Sequence, residues 1–442
     1  MGRRGKTIDD FVKDLIAIED LETKKRIYKK VLGIAYKNGI YPSSIHDFYV
    51  ARGKSEFNGF TVPAINLRTM TYDLARALFR VAKRNNAGAF IFEIAKSEMG
   101  YTNQPPCEFS SVILAAAIKE GYKGPVFIQA DHTQVNIKKF KENPEKELKA
   151  LQDLIEEAIE AGFYNIDIDS STLVDLEQST VKKQQYFNSD VCAKLTQFIR
   201  RIEPKGVIVS VGGEIGEVGH KNSTPEELRA FMDVYKGRLR KGLIGISKIS
   251  VQTGTSHGGV VLPDGSIAQV KLDFETLKSL SRIARGEFCL GGAVQHGAST
   301  LPPEAFHKFV ECDAAEVHLA TEFQNMIYES KHFPQELKMR IYEWLKVNAV
   351  SERKEGETEE QFYYKTRKKA LGPFKRDIMG LSDSVRDAIA AELEAKFEFL
   401  FKQLAISNTK DLIDKYIKLI RVISRKRKAG PVVVERDTEG AD

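Results

Sequence analysis

Short runs of apolar and β-branched residues recur through the middle of the chain, and most gaps between them hold amphipathic helical segments. The runs are Val62–Asn66, Ala89–Ile94, Val126–Ala130, Asn165–Asp169, Val207–Val211, Ile246–Val251, Cys289–Val294 and Glu316–Leu319. The helical segments include Leu74–Lys83, Glu147–Ala161, Asp190–Ile202 and Thr276–Ile283. This alternation predicts βα units and a parallel sheet. Eight units over roughly 285 residues match an α/β fold of the (β/α)8 TIM-barrel type, whereas a doubly wound sheet should carry a GxGxxG turn that is missing after the first run.

The segments on either side of these runs show helical periodicity. Near the N-terminus, Ile8, Phe11 and Leu15 recur at helical spacing, which favours helices there. The expected divisions are an N-terminal helical extension at 1–57, the barrel at 58–345, a C-terminal helical extension at 346–429 and a disordered polar tail at 430–442.

An apolar stripe runs along the predicted C-terminal helix between residues 383 and 426. Its members are Ile389, Leu393, Phe397, Phe401 and Leu404. A stripe at this spacing needs a surface to cover it. We expect it to pack on the barrel or on a neighbouring subunit, and because of this need for a covering surface we expect a homo-oligomer.

Composition and charge narrow the class of protein. The 442 residues include 67 basic and 61 acidic side chains, giving a net charge of +6, which suits an enzyme of anionic metabolites better than a nucleic-acid binder. No apolar stretch reaches the ~18 residues of a membrane span, and the first residues lack the apolar core of a signal peptide. The four cysteines form no CxxC pair. We therefore expect a reduced, cytoplasmic protein with neither nucleic acid nor membrane as a partner.

Three of the eight histidines follow predicted strands directly. His132 follows the third run, His257 the sixth and His296 the seventh. In a TIM barrel, the residues after each strand gather at one face and form the active site. Imidazoles that converge from several strands suit a catalytic Zn²⁺ or a similar divalent ion.

Carboxylates accompany these histidines at the strand ends. Asp131 precedes His132 and could accept a proton from a substrate hydroxyl or orient its neighbours. The fifth run leads to Glu214, a candidate metal ligand or support for a ligand. Glu217, slightly further on, is a candidate proton carrier or an ordinary loop carboxylate.

Glycines and a serine follow two of the histidines. Gly258 and Gly259 come after His257, and Gly297 and Ser299 come after His296. Exposed backbone N–H groups in such turns, together with a following helix N-terminus, can hold a phosphate. Two such turns on neighbouring strands beside a metal site predict a phosphorylated substrate.

At these positions the chain resembles the class II, metal-dependent aldolases of fructose 1,6-bisphosphate and tagatose 1,6-bisphosphate. The segments that carry the resemblance are Thr61–Asn66, Asp131-His132, Gly213–Gly216, Ser256–Gly258, His296–Ser299 and Ala320–Glu322, the last being similar to the tagatose branch. The similarity spans about residues 58–330, and the order of the motifs is specific although each is short.

The resemblance implies a Zn²⁺ held by His132, His257 and His296. It also implies that Asp131 takes the proton of the substrate C4 hydroxyl while the C3–C4 bond breaks. The metal is then the Lewis acid that stabilises the enediolate of dihydroxyacetone phosphate. A Schiff-base route is disfavoured because no lysine stands at a strand end, although Lys248 lies within the sixth run.

The chain departs from the family pattern at two points. The loop after the fifth strand has Lys221-Asn222 where members usually carry acidic residues, so Glu217 or His220 would have to carry the proton. The last strand has His318 where members usually offer an asparagine to the substrate, and the resemblance places His318 and Thr321 at the substrate.

Three functions remain open at this point. The leading one is a zinc-dependent aldolase of a ketose bisphosphate. A metal-dependent 4-epimerase of a ketose or ketose phosphate would use the same metal for retro-aldol and aldol steps. A non-catalytic aldolase-like subunit would be expected to have lost ligands, whereas this chain keeps all three histidines.

Overall fold

The computed structural model describes residues 6–216, 221–254, 272–299 and 301–423. The strands in these ranges are β1 Ile40–Ser43, β2 Val62–Asn66, β3 Ile91–Ala95, β4 Gly124–Gln134, β5 Asn165–Asp169, β6 Ser210–Glu214, β7 Lys248–Val251, β8 Ala293–Gln295 and β9 Glu316–Leu319. The helices are α1 Ile8–Ala17, α2 Leu21–Lys37, α3 His46–Gly53, α4 Thr71–Arg84, α5 Lys96–Tyr101, α6 Pro106–Lys119, α7 Ile137–Glu142, α8 Pro144–Glu160, α9 Val181–Gln184, α10 Tyr186–Ile202, α11 Pro225–Arg238, α12 Phe274–Phe288, α13 His307–Glu311, α14 Thr321–Glu329, α15 Gln335–Asn348, α16 Glu359–Thr366, α17 Lys375–Met379, α18 Asp383–Gln403 and α19 Lys410–Tyr416.

Strands β2 to β9 form a closed, fully parallel barrel. The neighbours run in the order β4, β3, β2, β9, β8, β7, β6, β5, and the pairing of β5 with β4 closes the ring. In that pairing Gln129 faces Asn165 and Ala130 faces Ile166. The predicted (β/α)8 barrel is therefore confirmed, with helices around it and helical extensions at both ends.

One element inside the N-terminal extension is a strand, and our expectation of helix there was wrong. Strand β1 pairs with the first half of β4, so that Ile40 faces Gly124 and Ser43 faces Phe127. The same edge of β4 pairs with β5 further along. The Asn165 side chain joins the two arrangements, because it accepts a hydrogen bond from Ile45 N at 2.9 Å and donates one to a β4 carbonyl at 3.0 Å. Four residues beside two helical segments are too few to show a strand period.

The N-terminal helices are tied to the barrel by a buried ion pair. Lys24 of α2 contacts one oxygen of Glu108 in α6, and Lys375 of α17 lies 2.7 Å from the other. Glu108 is 2% exposed, so both contacts lie in a low-dielectric region where an unpaired charge is costly. This carboxylate connects elements from both extensions.

The C-terminal stripe is covered by the barrel itself. All five members of the stripe are buried, and Phe401 packs against Phe90 with ring centroids 5.6 Å apart. The backbone also joins the two, since Thr61 N donates to Leu404 O at 3.1 Å. The stripe therefore gives no reason to expect a neighbouring subunit.

The helical prediction at 383–426 is interrupted. Ala405 and Asn408 adopt left-handed backbone conformations with φ of 55° and 62°, which end one helix before α19 begins. From Ile417 to residue 423 the described chain is not helical. Residues 424–429 lie outside the described ranges.

The structure also bears on the expectations about cysteines and membrane spans. The four cysteines are free thiols, three buried and one exposed. Within the described ranges, no helix combines the length and the apolar composition that a bilayer crossing requires.

Candidate active site and metal centre

The candidate site lies at the end of the barrel where the strands finish. Asp131 and His132 belong to the last residues of β4, and His296 directly follows β8. Between Ala130 and Thr133 the register of β4 against β5 shifts, and His132 has a left-handed φ of 37°. An extra residue in a bulge breaks the strict alternation of a strand. Two successive side chains, Asp131 and His132, therefore both face the barrel mouth.

The two described histidines of the predicted metal site meet. His132 Nε2 lies 2.6 Å from His296 Nδ1, and the rings are nearly perpendicular. Each outer nitrogen has a protein partner: His132 Nδ1 lies 3.3 Å from Asp169 Oδ2, and His296 Nε2 lies 3.1 Å from Ser250 Oγ. Such outer contacts fix the orientation of metal-binding imidazoles.

The donor set fits a divalent ion such as zinc. The ligand atoms of Asp131, His132 and His296 all lie within 4.8 Å of one another. Two nitrogens that share a tetrahedral zinc ion lie about 3.3 Å apart, so this pair would separate by about 0.7 Å to hold one. Paired imidazoles with a carboxylate are a common donor set for such ions.

Charges around the site favour an ionised Asp131. Burial opposes its ionisation, but the positive charges of His132 and His318 outweigh burial and hold the pKa of Asp131 well below its usual value. Burial likewise opposes protonation of His132, yet Asp131 and Asp169 outweigh it and raise the pKa of His132 well above normal. The carboxylate is therefore in the form that can accept a proton.

Glu214 flanks the pair from the other side. Its Oε1 accepts a hydrogen bond from Gly216 N at 2.6 Å, and its Oε2 lies 3.9 Å from Nε2 of His296. That nitrogen is the outer one, on the opposite edge of the ring from His132. The position suits a carboxylate that supports a ligand better than one that shares the ion.

Below the histidines, polar side chains from four strands meet inside the barrel. Lys248 Nζ lies 2.8 Å from Gln129 Oε1, 2.9 Å from Asp167 Oδ2 and 2.5 Å from Glu316 Oε1. Burial opposes the charged amine, but Asp167 and Glu316 outweigh it and raise the pKa of Lys248. An ammonium group held in this way has no lone pair to form a Schiff base.

His318 completes this interior network, which we define as Glu93, Gln129, Asp167, Lys248, Glu316 and His318. Its Nε2 lies 2.6 Å from Glu316 Oε1, and its Nδ1 lies 3.1 Å from Glu93 Oε2 and 3.3 Å from Asp131 Oδ1. The ring stacks on His296 with centroids 4.1 Å apart. His318, predicted to bind substrate, is 5% exposed and surrounded by carboxylates.

The predicted phosphate loops are described in part. Ser299 Oγ accepts a hydrogen bond from Ala320 N at 2.6 Å, which joins the loop after β8 to the start of α14. Gly297 has a φ of 66°, a conformation that glycine adopts freely. Thr321 is the first residue of α14 and is half-buried. The other predicted site residues, Glu217, His220, His257, Gly258 and Gly259, lie outside the described residues.

Sequence reasoning missed several partners of the site. Asp169, Ser250 and Glu316 were part of predicted strands but received no role. A signal for them exists, because polar residues two apart within a strand share one face. Four strands carry such pairs: Gln129 and Asp131, Asp167 and Asp169, Lys248 and Ser250, Glu316 and His318.

A comparison with protein-family models now gives the family. The model of class-II fructose-bisphosphate aldolases matches residues 53–401, most of the chain. The chain belongs to this family. It is accordingly an aldolase-type carbon–carbon lyase, and the family implies a phosphorylated sugar as substrate and typically a metal ion.

One solved structure supports the fold of this class-II aldolase, and a second is similar over much of the chain. It is similar to a protein described as a probable tagatose 6-phosphate kinase from Sinorhizobium meliloti 1021, with a TM-score of 0.55, 15% identity and coverage of 80% of this chain and 99% of that one. A fructose-bisphosphate aldolase from Campylobacter jejuni gives a TM-score of 0.48, 18% identity and coverage of 84% and 96%. A search of curated protein sequences finds no match.

Proposed function

We propose that the protein is a zinc-dependent aldolase that reversibly cleaves fructose 1,6-bisphosphate or tagatose 1,6-bisphosphate. The products are dihydroxyacetone phosphate and glyceraldehyde 3-phosphate. The observation that carries the proposal is the meeting of His132 Nε2 and His296 Nδ1 beside Asp131, with both outer nitrogens already engaged.

The proposed metal ligands are His132, His296 and, outside the described residues, His257. A bound divalent ion would supply a Lewis acid next to the ketose carbonyl, where negative charge develops as the carbon–carbon bond breaks. Glu214 and Asp169 would hold the histidines in place from the outer side, as such carboxylates do in other metal sites.

Asp131 is the proposed base. Its carboxylate accepts a hydrogen bond from His132 N at 2.8 Å, which fixes one oxygen. In the cleavage direction it takes the proton of the C4 hydroxyl, the C3–C4 electron pair moves to C3, and C4 leaves as the aldehyde. A second carrier then protonates C3, and Glu217 or His220 is proposed for this step because both follow β6 closely in sequence.

The phosphate site is proposed where the loop after β8 meets the start of α14. Ser299 connects its loop to the N-terminus of α14, and the first N–H groups of a helix have no partner within the helix. This end of a helix favours a phosphate because of both its free N–H groups and its partial positive charge. Gly297, Thr321, Gly258 and Gly259 are the other proposed contacts.

Product analysis tests the reaction. The purified protein, loaded with Zn²⁺, is incubated with each bisphosphate and a triose-phosphate coupling system. We expect stoichiometric triose release from at least one of them, and loss of release after chelation with recovery on adding Zn²⁺. Isomerised hexose bisphosphate without triose would contradict the aldolase proposal and indicate the 4-epimerase instead.

Variants test the metal site independently of the substrate. We expect His132→Ala and His296→Ala each to lower zinc content from one equivalent to below about one tenth, since a lost ligand weakens the site severely. His307→Ala, which changes an exposed histidine of α13, is the matched control and should keep its zinc. A double variant of His132 and His296 that retained stoichiometric zinc would overturn the assignment.

A further inference from the structure

We propose that His318 is a positioning residue, not a substrate ligand: its ring edge orients the Asp131 carboxylate, its ring face supports His296, and Glu316 and Lys248 hold it in place. This inference rests on the proposed function, because it assigns roles to Asp131 and His296 within that reaction. It differs from the substrate contact that the sequence predicts for His318.

Glu316 is the fixed point of the arrangement. It is fully buried, and its Oε1 accepts from Lys248 at 2.5 Å and from Gln129 at 2.8 Å. Its Oε2 accepts from the hydroxyl of Tyr49. A carboxylate with this many donors in a closed interior has little freedom to rotate. The 2.6 Å contact with Nε2 of His318 therefore fixes one edge of that ring.

The opposite edge of the His318 ring reaches the site. Nδ1 lies 3.3 Å from Asp131 Oδ1 and 3.1 Å from Glu93 Oε2, but neither contact has the angle of a hydrogen bond. Catalytic contacts are often long or poorly aligned before substrate binds and then tighten. Asp131 Oδ1 accepts a hydrogen bond from the backbone N–H of His132 and also faces this nitrogen, so both contacts act on the same oxygen.

The face of the ring lies against His296. The centroids are 4.1 Å apart and the planes differ by 16°. Stacking on one face and the Ser250 contact at the outer nitrogen together restrict the rotation of His296. The nitrogen proposed to bind metal is thereby aimed at His132.

The same geometry argues against a direct contact with substrate. Both ring nitrogens of His318 already face carboxylates, and the side chain is 5% exposed. A nitrogen that left these carboxylates for a substrate oxygen would leave buried negative charge unpaired.

Two substitutions of His318 distinguish the role of its ring face, which packs on His296, from the role of its ring nitrogens. His318→Phe keeps an aromatic face for His296 and loses both nitrogens, whereas His318→Gln keeps a donor and loses the ring. Glu316→Gln loosens the far edge without touching site atoms. His46→Phe is the matched control, a buried histidine that lines a cavity with Gly206 and Val207, ahead of β6 and at the other end of the barrel.

Kinetics tests the edge. With the zinc-loaded enzyme we expect His318→Phe to lower kcat about 30-fold and Glu316→Gln about 10-fold, with KM within about threefold of the parent, because a misplaced base loses part of its catalytic contribution. The double variant Asp131→Asn with His318→Phe should be no slower than Asp131→Asn alone. A raised KM with unchanged kcat, or losses that multiply in the double variant, would overturn the role through Asp131.

Cobalt binding tests the face without any turnover. We expect His318→Gln to weaken Co²⁺ affinity about tenfold, as loss of a ligand's support commonly does, and His318→Phe and His46→Phe to change it less than threefold. Equal weakening by Gln and Phe, or none by either, would overturn the stacking role.

Crystal structures of the parent and the variants test this inference independently of whether the protein cleaves a ketose bisphosphate. If the parent enzyme cleaves no ketose bisphosphate, the proposed function fails, but the orientation of Asp131 can still be compared between parent and variant. We expect the Asp131 carboxylate to rotate in His318→Phe and in Glu316→Gln. An unchanged carboxylate in both would overturn the inference. Should His318→Phe fail to fold, Glu316→Gln and His318→Gln still decide the outcome.

Discussion

Asp131 is buried, the neighbouring histidines hold its pKa well below the usual value against the effect of burial, and it lies one residue from a proposed metal ligand. We expect Asp131→Asn to retain one equivalent of zinc and to lower kcat by about 10²- to 10⁴-fold, the range that a positioned acid or base contributes. Zinc content and steady-state kinetics measure the two effects separately. Unchanged kcat would remove Asp131 from the mechanism, and loss of zinc would make it a ligand.

His46 in α3 predicts a pH dependence of folding stability. Burial, with a smaller effect of the nearby Arg200 charge, lowers the pKa of His46 to about 4. The unfolded chain binds this proton near pH 6.5, so the stabilising contribution is complete above that pH and is lost as the pH falls through 4. Between pH 7 and 4.5 the loss should be about 2 kcal/mol.

Urea unfolding at the two pH values measures this effect. The parent and His307→Gln, whose histidine is exposed, should lose the same free energy of unfolding on acidification. His46→Gln should lose about 2 kcal/mol less, since it has no such group to protonate. An equal loss in all three proteins would contradict the prediction.

The sequence predicted single residues of the site better than their partners. The sequence singled out His132 and His296 because histidines are rare and strand ends form the active face of a barrel, and the structure brings these two rings together. Lys248 and Glu316 were not given their structural role, because a charged residue inside a β-run does not reveal which charge it will meet across the barrel. The distance between side chains on different strands, such as Lys248 on β7 and Glu316 on β9, depends on how the barrel closes. A local sequence pattern carries no information about that closure.

At the scale of elements, α18 shows how an extension becomes part of the fold. Its buried face packs on the barrel, and Leu393 is fully buried. We expect Leu393→Ala to lower the free energy of unfolding by about 3 kcal/mol, because it removes buried methyl groups and leaves a cavity. Lys402→Ala, on the exposed side of the same helix, should change it by less than about 0.5 kcal/mol. Equal effects in urea unfolding would show that this face carries little stability.

Helices and strands were predicted correctly where the surrounding pattern extended over many residues, and were missed where a segment was short. The eight barrel strands were found because each lies between longer helices. Strand β1 was missed because its four residues gain their order from the edge of β4. The bulge at His132 was also missed, since an inserted residue has no composition signal of its own.

At the scale of the whole molecule, the extensions and the barrel form one packed body. Glu108 connects α2 and α17 to α6, and α18 covers α4. We therefore expect a single cooperative unfolding transition. Trp344, the only tryptophan, lies in α15 of the C-terminal extension. Its fluorescence should follow the same urea curve as far-ultraviolet circular dichroism, which reports all the helices, and separated midpoints would show that the extension unfolds independently.

The left-handed backbone of His132 sets the stability of the fold against the proposed catalytic role of this residue. For a residue with a side chain that conformation is unfavourable by about 1 kcal/mol or more, and for glycine the free-energy penalty is smaller. Folding alone would thus select against an imidazole at the very place where the reaction requires one. The barrel stays folded in spite of this unfavourable conformational free energy, because its many other buried contacts outweigh it. The position of the imidazole therefore lowers the stability of the fold slightly.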